Sequence, residues 1–118
     1  RDRSPSRGLG DVYKRQEVVC LDADRITWPL ELRVWSSGDR FIPLGMQNYK
    51  KVRDYLRDRK MSLFEKEKQQ VVVSGGEIVW LVNERIDQRF RVTGQTRRVL
   101  LLQVREKSSE ETFDYLIP

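Results

Sequence analysis

The spacing of apolar and polar positions along the chain marks short strands more often than helices. Glu17–Leu21 (EVVCL) is an apolar run with β-branched residues, which predicts a strand with Cys20 packed in it as a small hydrophobe. Asp22-Ala23-Asp24 has the composition of a turn. Leu30–Trp35 (LELRVW) alternates with period two, so Leu30, Leu32 and Val34 are expected on a buried face, with Glu31, Arg33 and Trp35 opposite. Ser36-Ser37-Gly38-Asp39 ends that strand. Phe41–Met46 is apolar but carries Pro43 and Gly45, which predicts a buried irregular loop. Lys50–Lys60 places Val52, Tyr55 and Leu56 at i, i+3 and i+4, the stripe of a short amphipathic helix. Ser62 and Glu65 have capping-box spacing and open a second short helix to about residue 69.

Val71-Val72-Val73 and Ile78–Val82 flank Ser74-Gly75-Gly76-Glu77, which predicts a hairpin. Arg97–Val104 is an apolar run expected to form a strand buried on both faces. Lys107–Thr112 is polar and acidic, and Phe113–Ile117 is either a terminal strand or a tail. The sum is a β-dominated α+β domain of roughly five or six strands and one or two short helices.

A chain of 118 residues allows one domain with a loose terminal segment. The aromatic complement of three Trp, four Tyr and four Phe suffices for a small core despite the polar composition. No run approaches the about 18 apolar residues of a membrane span, so no membrane partner is expected. With one Cys and no His, an internal disulfide, a Cys-rich zinc module and a His-dependent nucleophile system all drop out. Asp22/Asp24 and Glu106/Glu110/Glu111 lack calcium-loop spacing, so no metal site is expected. A reducing, cytoplasmic setting follows.

The net charge of +5 is unevenly spread. Arg1, Arg3, Arg7, Lys14 and Arg15, against Asp2 and Asp11, hold most of the excess in residues 1–16. Within that stretch, SRGLGDVYKRQ (residues 6–16) resembles one reading frame of a transposase-type sequencing adapter, so residues 1–16 are expected to be an artefactual or disordered segment. Beyond it, two stretches are strongly basic. Residues 33–60 carry Arg33, Arg40, Lys50, Lys51, Arg53, Arg57, Arg59 and Lys60 against three Asp, and residues 85–98 carry five Arg against Asp87. Two such stretches on an otherwise acidic chain can converge into a phosphate-binding face, for which the planar guanidinium fork is suited. The alternative is a solvated helix face plus structural ion pairs, such as Arg85 or Arg89 with Asp87. Trp35, Tyr49 and Trp80 can stack on bases, although core packing is the ordinary use of each.

Val71–Gly76 (VVVSGG) looks like the start of a phosphate loop. Such a loop needs a helix N-terminus behind it, whereas strand-like Glu77–Leu81 follows here, and no Asp-Ser follows the glycines. The hairpin is the preferred reading, and no catalytic residue is assigned.

Five segments in fixed order carry a family resemblance. They are Leu32–Trp35, Gly38-Asp39-Arg40-Phe41 with Pro43-Leu44-Gly45-Met46, Lys50-Lys51-Val52 with Asp54-Tyr55-Leu56, Val73–Trp80, and Arg85-Ile86-Asp87 with Arg89-Phe90. From about Leu30 to Leu102 the chain resembles the C-terminal domain of bacterial tRNA(Ile)-lysidine synthetases. The resemblance implies a sandwich-like fold shared with a module of the phenylalanyl-tRNA synthetase β chain. It also implies a parent ligase that uses ATP and Mg to adenylate the wobble cytidine of an isoleucine tRNA and then joins lysine to it. That chemistry belongs to an N-terminal catalytic domain with an SGGxDS loop, so this chain alone is expected to be inactive and to hold no cofactor.

The implied role of residues 17–104 is to grip tRNA(Ile) near its acceptor stem, with the parent's catalytic domain as second partner. Lys50, Lys51, Arg53 and Arg57 are the first candidates for phosphate contact, read as polar-face residues of a helix, and Arg33, Arg40, Arg89 and Arg97 the second. Asp39 is placed to pin Arg40 or cap loop N–H groups. Residues 105–118 match nothing in the family core and read as a flexible or terminal extension. A purely structural interdomain module without RNA contact is the alternative, and a stand-alone RNA-binding protein a third reading. The sequence sets no oligomeric state.

Overall fold

The computed structural model describes residues 17–105; the adapter-like segment and residues 106–118 lie outside them. Its strands are β1 (Val18–Asp22), β2 (Leu30–Val34), β3 (Arg40–Phe41), β4 (Lys50–Lys51), β5 (Gln70–Ser74), β6 (Glu77–Leu81), β7 (Arg85–Ile86) and β8 (Val99–Gln103). The helices are α1 (Val52–Asp58) and α2 (Leu63–Lys68). One antiparallel sheet runs β2-β5-β6-β7, and β1-β8 and β3-β4 form two separate ribbons.

The β5–β6 hairpin is the centre. Gly75 (φ 57°) and Gly76 (φ 83°) take the two left-handed positions of a tight hairpin loop, and Ser74 pairs with Glu77 across it. Its apolar runs are continuous because each strand is covered on both faces. Val72, Val79 and Trp80 join one core with Val19, Leu21, Ile86 and Phe90. Val71, Val73, Ile78 and Leu81 join a second with Phe41, Val52, Tyr55 and Leu56. The β1-β8 ribbon thus covers one face, and α1 with the β3-β4 ribbon covers the other. Phe41 meets Tyr55 edge to face, ring centroids 5.6 Å apart.

The pairing shifts between Val72 and Val73, which leaves Val79 as a bulge between Ile78 and Trp80. The bulge lets Val79 and Trp80 face the same core, and the Val79 carbonyl accepts the Asp87 N–H at 2.8 Å.

Ser62 caps α2 as its spacing predicts: its hydroxyl accepts the Glu65 N–H, and the Glu65 carboxylate accepts the Ser62 N–H.

Several expectations are corrected. The first helix starts at Val52, and Lys50 and Lys51 lie in a strand. Strand β2 keeps its period-two faces, but only Leu30 packs on the ribbon-side core. Leu32 and Val34, on a sheet edge, stay 48% and 49% exposed. The other face holds Trp35, which packs on the second core and donates from Nε1 to the Lys66 carbonyl. Strand β8 is buried on one face, because among the described residues it pairs with β1 alone: Leu100 and Leu102 point to the core, while Val99 and Leu101 are exposed. Cys20, opposite Leu101, shares that outer face and is exposed.

Candidate nucleic-acid interface

Register in the small ribbon decides which cations face solvent. Arg40 pairs with Lys51 and Phe41 with Lys50, and directly opposed residues share a face. Phe41 is fully buried, so Arg40 and Lys51 are turned outward. Tyr49 precedes this ribbon strand and is 45% exposed, not part of the core. The Arg40 guanidinium lies 4.4 Å from the Tyr49 ring centroid and that of Arg89 5.2 Å from it. Arg89 Nη1 also donates to the Tyr49 hydroxyl at 3.0 Å. The two basic stretches therefore meet at Tyr49.

Asp87 makes that meeting rigid. Its side chain is fully buried, and Oδ2 accepts the Ile42 N–H at 2.8 Å. Leu44 N–H donates to the Ile86 carbonyl, Gln88 N–H to the Ile42 carbonyl, and Gly45 N–H to Gln88 Oε1. Residues 42–45 and 86–88 are thereby stapled together, and Gly45 turns the chain at φ 92°. Arg89 holds Asp87 through Nε and Nη2, and Glu77 through Nη1 at 2.8 Å. Hydrogen bonds to Asp87 raise the Arg89 pKa above its ordinary value.

The other candidates are less alike than their sequence suggests. Lys50 is tied to Asp58 at 2.6 Å, which holds the Asp58 carboxyl below its usual range. Arg53 and Arg57 are exposed on α1, near Asp54 at 3.9 and 3.2 Å. Exposed pairs of this kind contribute about 0–1 kcal/mol, so both side chains remain available. Lys51 has no ion-pair partner among the described residues. Arg33 is structural: it grips both oxygens of Asp39 at 2.8 and 3.0 Å, while Asp39 also accepts the Ser36 N–H. Asp39 thus pins Arg33, not Arg40. Arg85 stacks near Tyr55 and leaves Asp87 to Arg89. Arg97 is exposed, with its backbone N–H bonded to Asp24.

Tyr49, read from the sequence as a possible base-stacking residue but more ordinarily a core one, is exposed, whereas Arg25 and Arg91 are surface residues that the sequence did not single out as sites. The only signal for Tyr49 was an aromatic next to Lys50-Lys51. Arg25 had none, since it lies beside residues 88–95, far from it in sequence.

The Ser74-Gly75-Gly76 turn does not fit a nucleotide. The Ser74 hydroxyl accepts the Thr27 N–H at 2.7 Å and donates to the Thr27 carbonyl, Glu77 is bonded to Arg89, and a strand follows. Among the described residues, no three His, Cys, Asp or Glu side chains group as metal ligands. No helix there is long and apolar enough to cross a membrane.

The family model described as TilS substrate C-terminal domain matches residues 30–103. The chain is 44% identical over 93 residues to a tRNA(Ile)-lysidine synthase of Bacteroides thetaiotaomicron, a match covering 79% of this chain and 22% of that protein. It is 46% identical over 91 residues to that of Parabacteroides distasonis, covering 77% and 21%. The chain thus spans about a fifth of the length of these curated relatives. The fold is similar to that of a crystal structure of the TilS C-terminal domain, with TM-score 0.63 and 24% identity over 74% of this chain and 68% of that one. It is also similar to an N-terminal fragment of the phenylalanyl-tRNA synthetase β-subunit from Pyrococcus horikoshii, with TM-score 0.63 and 20% identity over 80% of this chain and 30% of that one. The α+β, β-dominated, sandwich-like architecture expected from the sequence is the architecture of both neighbours. On these matches the chain belongs to the TilS substrate C-terminal domain family.

Proposed function

We propose that this chain is the tRNA-gripping module of an ATP-dependent ligase that joins lysine to the wobble cytidine of an isoleucine tRNA. The observation that carries the reading is Tyr49 with Arg40 and Arg89 against its ring, one arginine from each basic stretch at an exposed aromatic residue. Family membership supplies the tRNA. Arg40, Lys51 and Arg97 contact phosphates, Arg53 and Arg57 extend the contact along α1, and Lys50, Arg33 and Arg89 hold the surface in place. A-form RNA presents regular phosphates and a wide minor groove, so the module recognises shape more than sequence. ATP, Mg and the ligation chemistry belong to the parent's catalytic domain, and the setting is the cytoplasm. The test is to titrate fluorescent tRNA(Ile) with the chain while assaying pyrophosphate release in ATP, Mg and lysine. Weak, salt-sensitive binding without pyrophosphate release is expected. No binding at low salt overturns the tRNA-gripping role, and tRNA-stimulated pyrophosphate release overturns the placement of the chemistry elsewhere.

One observation favours the second reading, a structural interdomain module. The outer face of the β1-β8 ribbon is apolar: Val18, Val99 and Leu101 are 50%, 54% and 67% exposed, beside Cys20. A catalytic domain packed there would use this module as a brace, a role compatible with RNA contact on the Tyr49 side.

A further inference from the structure

A cleft of about 500 Å³ lies between the turn Ala23–Arg25 and the segment that follows β7, lined by Arg25, Gln88, Arg89, Arg91 and residues 93–95. No carboxylate lines it. We propose that this cleft is a discrete site for a single phosphate group, held by Arg25, Arg91 and the Thr93 hydroxyl. The proposal rests on the reading of the neighbouring surface as RNA-binding and names where within it one phosphate is gripped.

The donors are apportioned in a way that suits an anion. Arg89 is the fixed wall: Asp87, Glu77 and Tyr49 already take hydrogen bonds from its Nε, Nη1 and Nη2, and two carboxylates offset its charge, so it shapes the cleft and the anion falls to Arg25 and Arg91. Arg91 gives one Nη1 hydrogen bond to the Gln88 carbonyl at 2.8 Å, which fixes its guanidinium and leaves most of its N–H groups unused. The Arg25 side chain is 64% exposed and only 3.7 Å from Asp22, too loose a pair to hold it. Thr93 Oγ1 accepts the Gln95 N–H, so the hydroxyl proton remains to be donated. The Thr93 N–H is in turn bonded to Thr96 Oγ1, and the Thr96 N–H to the Thr93 carbonyl, which hold the rim in shape. Guanidinium forks around an anion make charge-assisted hydrogen bonds about twice as strong as neutral ones. The phosphate comes either from an internal phosphodiester of RNA or from its terminal 5′-monophosphate.

The experiment uses the whole chain, isotope-labelled, titrated with inorganic phosphate at constant ionic strength and followed by amide and arginine Nε resonances. Saturable shifts confined to Arg25, Arg91 and residues 93–95 are expected, with the shifts lost in an Arg25→Ala/Arg91→Ala variant whose remaining spectrum is unchanged. Shifts no larger there than at exposed Arg53 and Arg57, or shifts that persist in the double variant, overturn the site. In the RNA arm, the double variant should weaken tRNA binding at least about tenfold and flatten its salt slope by about 1, the loss of one phosphate contact. A minihelix with a 5′-phosphate binding more tightly than its 5′-hydroxyl twin assigns the site to the terminus, and equal binding assigns it to the backbone. Saturable phosphate binding by a chain that ignores tRNA supports the cleft and removes the RNA reading, and tRNA binding unaffected by the double variant does the reverse.

Discussion

Asp87 and Arg89, two positions apart, face each other through two side-chain hydrogen bonds of 2.9 Å, while the same carboxylate accepts the N–H of Ile42 from the other basic stretch. One buried acid therefore fixes the orientation of Arg89 and ties together the two segments that meet at Tyr49. Asp87→Ala strands the Ile42 N–H and loosens the guanidinium. It should cost about 3 kcal/mol or more of stability, read as a lower urea midpoint at unchanged slope. Glu77→Ala removes a half-exposed partner of the same arginine and should cost below about 1 kcal/mol.

Arg33 and Asp39 give the fold an acid-sensitive clasp. The Arg33 guanidinium, helped by the Ser36 N–H, holds the Asp39 carboxyl below its usual range. A depressed folded-state pKa stabilises the fold above the unfolded value of about 4, and that stability is lost as pH falls through the folded value. Thermal midpoints of the parent chain should therefore drop on acidification below about pH 4. Asp39→Asn should start lower at neutral pH and lose less over the same window.

The Gly75-Gly76 turn tests the hairpin against the phosphate-loop reading of the same residues. A Cβ on Gly75 would stand 3.1 Å from the Thr27 Cβ at φ 57°, whereas one on Gly76 meets only open space at φ 83°. Gly75→Ala should cost about 1–2 kcal/mol or more and Gly76→Ala less. Equal costs in chemical denaturation would count against this packing.

Cys20 lies on the outer face of the β1-β8 ribbon. A thiol reagent should modify it in the folded chain at a rate close to that in denaturant. A rate lower by orders of magnitude would mean that the ribbon face is covered.

The legible parts of the fold were those written in local chemistry. The Gly-Gly hairpin, the Ser62–Glu65 capping box and the Val52/Tyr55/Leu56 stripe each depend on residues within a few positions of one another, and each is present. The resemblance from Leu30 to Leu102 fell within the matched 30–103. Burial was less legible, because it depends on neighbours distant in sequence. The run at β8 reads as doubly buried until its only strand neighbour among the described residues is known to be β1, and Leu32 and Val34 read as core until β2 proves to be an edge there. For the surface, counting charge found both basic stretches but could not separate Arg33, occupied by Asp39, from Arg40, facing outward over Tyr49. That separation comes from the β3-β4 register and from the hydrogen bonds of Asp87.

The most direct measurement of the central claim is the salt dependence of tRNA binding by the parent chain and by an Arg40→Ala/Lys51→Ala/Arg97→Ala variant, with far-UV circular dichroism as the folding control. If the chain contacts about four phosphates, log K should fall with log salt at a slope of about −3 to −4. The variant, folded and carrying three fewer contacts, should bind more weakly with a slope nearer to about −1. A variant that binds tRNA with the parent's affinity and slope would contradict the account.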